Sequence, residues 1–532
     1  MKTEKDKFYI TTSIPYLNAP PHLGFALEAL QADVVARHSR LRDKDVFFLS
    51  GTDEHGAKIA RAAGEAQKTP KEFVDGLAVV FQDLLKKLNI SNDDFIRTSD
   101  KERHWPGAQL LWKKLAEAGD IYKSFYKGLY CVGHEAFITE KDMEGNVCAI
   151  HKKPPEAIEE ENYFFKLSKY TNRLLEAISK EDMKILPSFR KEETLNMLKE
   201  IGDVSFSRPS KDIAWGVPVP SDATQTMYVW CDALANYITA LGYGESFGSP
   251  TSTGNRTSKF ERFWPADIHV VGKDIMKFHT IFWPAMLMSA GLSLPKIIFV
   301  HGWVNVKGEK MSKSLGNVID PIPLIEKYGS EAVRFYLAHE TSVFGDSDYS
   351  DKHFSEIYSG LLVNGLGNLL ARTLKMISLY PAISKPEEGA LARYPIKKNL
   401  EFLTTGEKKR WSFEQASPSF LVDNVLWLAY QKAMAAYEIS QAIKNIWIYL
   451  GRLDEYIEDY KLYKMVKSQP EEAKVVLWHL AYSLASVAWM IKPFMPETAD
   501  KILLSLGVEP TSREEWKEFS AKEFAHLFPR IQ

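Results

Sequence analysis

The sequence has little cysteine, three residues in 532. That is too few for a disulfide framework and excludes the small disulfide-stapled secreted folds. It also lacks an excess of charge of either sign: Lys and Arg total 67, Asp and Glu total 69, and the formal net charge is −2. Any nucleic-acid partner must therefore be met by a local basic surface, not by a globally basic protein. No segment reaches membrane-spanning length without charges, so no membrane partner is expected. The N-terminal Met1-Lys2-Thr3-Glu4-Lys5-Asp6-Lys7 runs straight into a strand-like segment without a signal-peptide apolar region, and the expectation is a cytoplasmic protein. Internal repeats and low-complexity tracts are absent. The hydrophobic and charged fractions, 45% and 26%, are those of an ordinary globular protein, and the length implies several domains.

Four short apolar runs share one arrangement. Phe8-Tyr9-Ile10, Val46-Phe47-Phe48-Leu49, Ile268-His269-Val270-Val271 and Ile297-Ile298-Phe299-Val300 are rich in β-branched and aromatic residues, and each ends in polar or glycine residues. Such runs predict buried parallel strands. Open α/β sheets bind ligands beyond the carboxyl ends of their strands, so all four ends are candidates to line one pocket. Leu23 to Leu41 reads as the first crossover helix and Asp274 to Leu287 as a later one. From about Phe354 the pattern turns helical: Leu477, Leu480, Leu484, Val487 and Ile491 follow helical spacing, and Asn424 to Leu450 is a longer helix candidate. Ser384 to Glu414, charged and punctuated by Pro and Gly, reads as a loop or insertion.

Two motifs carry chemistry. Gly308-Glu309-Lys310-Met311-Ser312-Lys313-Ser314-Leu315-Gly316 is a glycine-flanked loop whose ammonium groups suit the charge that builds when a phosphoanhydride breaks. Alone it would be a solvated turn. Far upstream, Pro15-Tyr16-Leu17-Asn18-Ala19-Pro20-Pro21-His22-Leu23-Gly24 joins a strand to a helix. A helix N-terminus offers unpaired N–H groups to phosphate, Gly24 leaves room for close approach, and His22 can donate to a phosphate oxygen. Without the downstream loop, His22 would read as a helix cap.

Together the two motifs resemble the signatures of class I aminoacyl-tRNA synthetases. Lys310 to Ser314 matches the second signature throughout. The first departs from it: Phe25 stands where a second histidine is usual. About 290 residues separate His22 from Lys310, too few for the nucleotide fold plus the large editing domain of leucyl, isoleucyl and valyl enzymes. That favours the methionyl branch. Ile14-Pro15-Tyr16, Gly51-Thr52-Asp53-Glu54-His55-Gly56, Tyr228-Val229-Trp230-Cys231-Asp232-Ala233 and Phe278-His279-Thr280-Ile281-Phe282-Trp283-Pro284-Ala285 resemble methionyl-tRNA synthetases as well.

The resemblance implies activation of methionine by ATP, supplied with Mg2+, followed by transfer to tRNA(Met), including the initiator. Methionine would be bound by Asp53 at its ammonium and by Ile14, Tyr16, Trp230, Tyr237, Phe278 and His279. Aromatic rings suit a thioether, although each ring alone would read as ordinary core. ATP would be bound by Gly24, Gly272, Asp274 and Lys313, with His22, Lys310 and Lys313 as the catalytic groups. Asn368 and Arg372, four apart on one helix face, would read the anticodon, with Tyr463 as a weaker third reader. Cys131-x2-His134 and Cys148-x2-His151 have the spacing of a structural Zn2+ knuckle, with a degenerate metal-free knuckle as the alternative. Cys231 reads as pocket wall.

The fold expected is an α/β Rossmann-like catalytic domain with an inserted zinc-knuckle domain, followed by an α-helical bundle that binds the anticodon. The expected boundaries are 1–117 and 229–300 for the catalytic domain, 118–228 for the insertion, 301–354 for the lysine-serine loop and stem-contact region, and 355–532 for the bundle. Because the chain ends soon after the bundle, a monomer is the expectation. Two other readings stand beside this one: an editing-deficient leucyl-like enzyme, and a catalytically weak RNA-binding relative, to which only Phe25 points.

Overall fold

The computed structural model describes residues 5–131, 136–138, 142–150, 152–244, 258–311, 316–398, 400–404, 407–411, 416–510, 516–522 and 526–531. They gather into two compact units. The first holds Met1–Pro21, Ser39–Lys86 and Ile90–His301; the second holds His22–His38, Lys87–Asn89 and Gly302–Gln532.

The first unit is built on a six-stranded parallel sheet. Its strands are β1 (Lys7–Thr12), β2 (Asp45–Thr52), β3 (Asp94–Arg97), β4 (Lys184–Leu186), β5 (Ile268–Gly272) and β6 (Ile297–His301), in the order β3-β2-β1-β5-β6-β4. Register pairs Phe8 with Val46, Ile10 with Ile268, Gly51 with Ile96, Val270 with Phe299 and Ile298 with Ile185. The four apolar runs are the four central strands, nearly all of whose residues are buried, as both faces of a parallel sheet require. Strand order reverses between β1 and β5, so the crevice for a ligand opens at their carboxyl ends. The stretch 118–228 contains a four-stranded antiparallel sheet, ordered Val204–Ser205, Glu156–Phe165, Ile121–Cys131 and Ala136–Ile138. It also contributes β4 to the main sheet.

The second unit opens with His22–His38, most of helix α1 (Leu23–Leu41), which forms as the sequence predicts. A buried ion pair fixes α1 within it. Arg334 and Asp33, both fully buried, meet at 2.7 Å. The guanidinium also donates to the carbonyls of Phe494 at 2.7 Å, Leu88 at 2.9 Å and Pro493 at 3.0 Å. A buried charge is tolerated where its partners are complete, and here they are. The helix Pro470–Ile491 is long and apolar enough to cross a membrane by composition, yet 83% of its apolar window is buried in the protein; it is a core helix.

Three sequence expectations are corrected here. The single helix over Asn424 to Leu450 is two, because the chain breaks at Tyr437 (φ 59°) between a helical stretch ending at Ala435 and the helix Ile439–Asp459. Asp274 to Leu287 is helical but irregular, with a wide π-turn over Phe278–Phe282 before the α-helix Trp283–Ser289. Ser384 to Glu414 is more than a loop, since Leu400–Thr404 pairs antiparallel with Glu407–Trp411.

Candidate active site

In the first unit the end of β1 and the end of β2 are stitched together by backbone. Asp53 N–H donates to the Pro15 carbonyl at 2.9 Å and Leu17 N–H to the Asp53 carbonyl at 2.9 Å. Ile14, Tyr16 and Asp53 are thereby brought to one place, with Asp53 only 5% exposed. Gly51 is required for this approach: a Cβ there would lie 2.2 Å from the Ile96 carbonyl oxygen and 3.0 Å from the Ile14 side chain. The neighbouring Glu54 is structural. It is fully buried and takes a bidentate ion pair from Arg97 at 2.7 and 2.8 Å.

A second group of predicted residues forms a wall from the short helix α2 (Val229–Leu234) and the segments after it. Trp230 stacks on Phe278, with centroids 3.7 Å apart and planes at 7°, and meets the His279 ring edge-on. Tyr237 and His279 Nε2 are 2.7 Å apart, and His279 Nδ1 lies 3.0 Å from the Ile275 carbonyl. A carbonyl only accepts, so Nδ1 carries the proton, Nε2 is the acceptor, and the Tyr237 hydroxyl donates to it. Tyr9 on β1 donates to the Tyr237 carbonyl at 2.7 Å. The Tyr237 ring lies 4.2 Å from that of His269 on β5, where burial and then His279 hold the His269 pKa well below the ordinary histidine value. The wall is locked to the two central strands on either side of the crevice.

At the end of β5, a Cβ on Gly272 would fall 2.8 Å from Asp274 Oδ1 and 3.7 Å from the His301 ring. The structure thus brings Gly272 and Asp274 together and adds His301, at the end of β6, to which sequence reasoning gave no role although it marked that strand end. His55, His104 and Asp232 were also passed over as site residues. They form a buried chain described below.

In the second unit, His22 Nδ1 accepts from Gly24 N–H at 3.0 Å. The helix-cap role and the donor role are therefore compatible: capping occupies Nδ1 and leaves the proton on Nε2. Gly24 matters for a reason the sequence did not suggest. A Cβ there would lie 2.8 Å from His22 Cε1, so glycine lets the imidazole fold over the helix start, with Met311 Cε 3.9 Å away. Leu23 N–H donates to the Ile319 carbonyl at 3.0 Å, which ties the same helix start to the far side of the lysine-serine loop. Phe25 is 7% exposed and packs into the core. Lys310 places its ammonium 3.9 Å over the Trp303 ring. Gly308 and Gly316 have φ 76° and 65°, the left-handed conformations that glycine accepts readily at the two ends of the loop. Ser312, Lys313 and Ser314 lie outside the described residues.

The remaining predicted residues are placed as follows. Asn368 and Arg372 begin and follow on the helix α3 (Asn368–Ile377); Asn368 is exposed, and Arg372 is held by Asp454 at 2.9 Å and by Glu458. Tyr463 is exposed on a separate helix, Leu462–Ser468. Cys131 and Cys148 are buried in one small cluster with Ile138, whereas His134 and His151 lie outside the described residues. Cys231 is buried, and burial pushes its thiol pKa well up, so a wall role suits it better than nucleophile.

A family model described as tRNA synthetases class I (M) matches residues 8–147 and 140–374. The methionine--tRNA ligase of Clostridium perfringens is 40% identical over 99% of this chain and 78% of its own length. That of Thermotoga maritima is 40% identical over 96% of this chain and 77% of its own. Among solved structures, Mycobacterium tuberculosis methionyl-tRNA synthetase in complex with methionyl-adenylate superposes with a TM-score of 0.86 at 35% identity, covering 99% of this chain and 100% of that one.

Proposed function

The chain belongs to the class I methionyl-tRNA synthetases, and from that membership we propose how its residues divide the work. It activates methionine with ATP and charges tRNA with it. In the first step a methionine carboxylate oxygen attacks the α-phosphorus of ATP. The bond to the bridging oxygen breaks and pyrophosphate leaves. The tRNA 3′-terminal hydroxyl then takes the methionyl group from the adenylate. No covalent enzyme intermediate is required, so the protein contributes position and charge.

Asp53 pairs with the methionine ammonium, and the backbone of Ile14 and the ring of Tyr16 border it. Trp230, Phe278 and Tyr237 enclose the thioether, with His279 near the sulfur. The observation that carries this assignment is the locked aromatic wall, Trp230 on Phe278 and Tyr237 on His279, tied to β1 through Tyr9 and to β5 through His269. A rigid wall is what a flexible apolar side chain needs, since shape alone discriminates weakly among apolar substrates. Gly272 and Asp274 receive the ATP ribose. His22, Gly24, Lys310 and Lys313 act on the phosphates, with ATP entering as its Mg2+ complex. Asn368 and Arg372, with Tyr463, read the anticodon of elongator and initiator methionine tRNAs. Pyrophosphate exchange with each of the twenty amino acids tests the reading. Exchange is expected with methionine at least about a hundredfold above leucine or isoleucine in kcat/KM, a discrimination at the upper end for an apolar pocket. Exchange with leucine or isoleucine but not with methionine would overturn it.

The metal proposal rests on the donor set. Two cysteines 17 residues apart in sequence share one buried cluster in a polar segment with little apolar core of its own. His134 and His151 complete a tetrahedral set by spacing, and bound Zn2+ would supply folding energy there without chemistry. Protein purified without chelator is expected to carry about one zinc per chain, and less than about a third would refute the site.

A further inference from the structure

On the helix that carries Trp230, Asp232 joins a buried chain of three titratable side chains that the proposed chemistry does not use. Asp232, 1% exposed, places Oδ2 2.6 Å from His55 Nδ1 and Oδ1 2.8 Å from His104 Nε2. His104 Nδ1 in turn lies 2.8 Å from Thr239 Oγ1. His55 and His104 are themselves 2% and 0% exposed. A carboxylate only accepts, so both facing ring nitrogens donate to it. The His55 ring is packed edge-on between Trp215 at 5.3 Å and Trp105 at 6.0 Å. Burial raises the Asp232 pKa, but His55 and His104 outweigh that and hold it at about 2, so the bridge is a carboxylate throughout the working pH range.

The three residues belong to three elements. His55 is two residues beyond Asp53, on the segment that leaves β2. Asp232 is two residues beyond Trp230 on α2, and Tyr237 follows five residues later. His104 immediately precedes the helix Trp105–Glu117. Beside the Tyr9 contact from β1 to the Tyr237 carbonyl, the side-chain bridge ties the segment leaving β2 directly to α2.

We propose that Asp232 is a positioning residue for methionine, whose carboxylate clamps His55 to His104 and so sets Asp53 against the helix carrying Trp230 and Tyr237. It touches no substrate. Its effect passes through the spacing of groups that do, and a misplacement of about 1 Å in such a pocket is enough to weaken binding strongly. The inference rests on the methionine-binding roles proposed for Asp53, Trp230 and Tyr237.

Asp232→Asn keeps the shape but turns one acceptor into an N–H facing a ring N–H. In pyrophosphate exchange with the full chain, KM for methionine is expected to rise about tenfold or more, KM for ATP to stay within about twofold, and kcat to fall less than about threefold, because the loss is of ground-state placement. His104→Gln retains a donor toward Asp232 and is expected to keep the methionine KM within about threefold, whereas His104→Ala raises it about tenfold. A folded Asp232→Asn with unchanged methionine KM would overturn the proposal, as would equal rises in both KM values, the mark of a general structural lesion. If Asp232→Asn does not fold, the His104 pair decides alone: equal methionine KM values for Gln and Ala overturn the clamp. Asp53→Asn separates this inference from the reading beneath it. An unaffected methionine KM in Asp53→Asn would sink the pocket assignment itself, whereas a large rise there with none in Asp232→Asn sinks only the clamp.

Discussion

Asp53→Asn is expected to lower kcat/KM for methionine in pyrophosphate exchange by about a hundredfold or more, almost entirely through KM. Truncating one partner of a desolvated charge pair costs about 2–5 kcal/mol, largely because the other charge is left without its counter-ion. The burial condition is met: Asp53 is 5% exposed. Its placement does not depend on its charge, since two backbone bonds to Pro15 and Leu17 hold the residue. Asparagine can therefore occupy the same position and still offer a carbonyl oxygen, so that the measured loss isolates the charge. KM for ATP is expected to stay within about twofold, because ATP does not share the ammonium contact. A loss below about fivefold would show that the methionine ammonium is neutralised elsewhere.

The parts of this site that the sequence discloses are those whose chemistry is local. A buried parallel strand needs an unbroken apolar run, so β1, β2, β5 and β6 are readable. β3 and β4 are not: Asp94–Arg97 has one buried residue, and Lys184–Leu186 has only Ile185. Each is an edge strand held by its neighbour instead of by its own pattern. The break at Tyr437 was equally hidden, because a left-handed tyrosine carries no glycine or proline signal. Gly24 was legible as a glycine that something approaches; the structure adds the imidazole of His22, two residues earlier, to what lies close to it. The Asp232 bridge spans 177 residues to His55 and 128 to His104. Each of the three reads alone as an unremarkable polar residue in an apolar neighbourhood, and only folding reveals that they satisfy one another.

The division of labour at the phosphates gives the second large effect. Lys313→Ala is expected to lower kcat for methionine activation by about 10²–10³, the loss typical of removing a group aimed at developing transition-state charge. His22→Ala is expected to cost only about tenfold, the weaker loss of a neutral donor, since hydrogen bonds from charged groups are about twice as strong. The geometry around His22 sets this order. Its Nδ1 is spent on Gly24 N–H, so it has a single N–H to offer and adds no net charge in the tautomer that caps the helix. The neighbouring Phe25, buried in the core, adds no donor. A family site with two histidines would spread the phosphate charge over both; with Phe25 in that place, the proposed order puts more of it on the ammonium groups. Lys310 is already engaged with the Trp303 ring at 3.9 Å. Lys313 is then the residue most exposed to loss. Both variants should keep KM for methionine within about twofold, since neither group belongs to the pocket that binds it. A His22→Ala defect larger than that of Lys313→Ala would place the main stabilising donor at the helix start and refute this order.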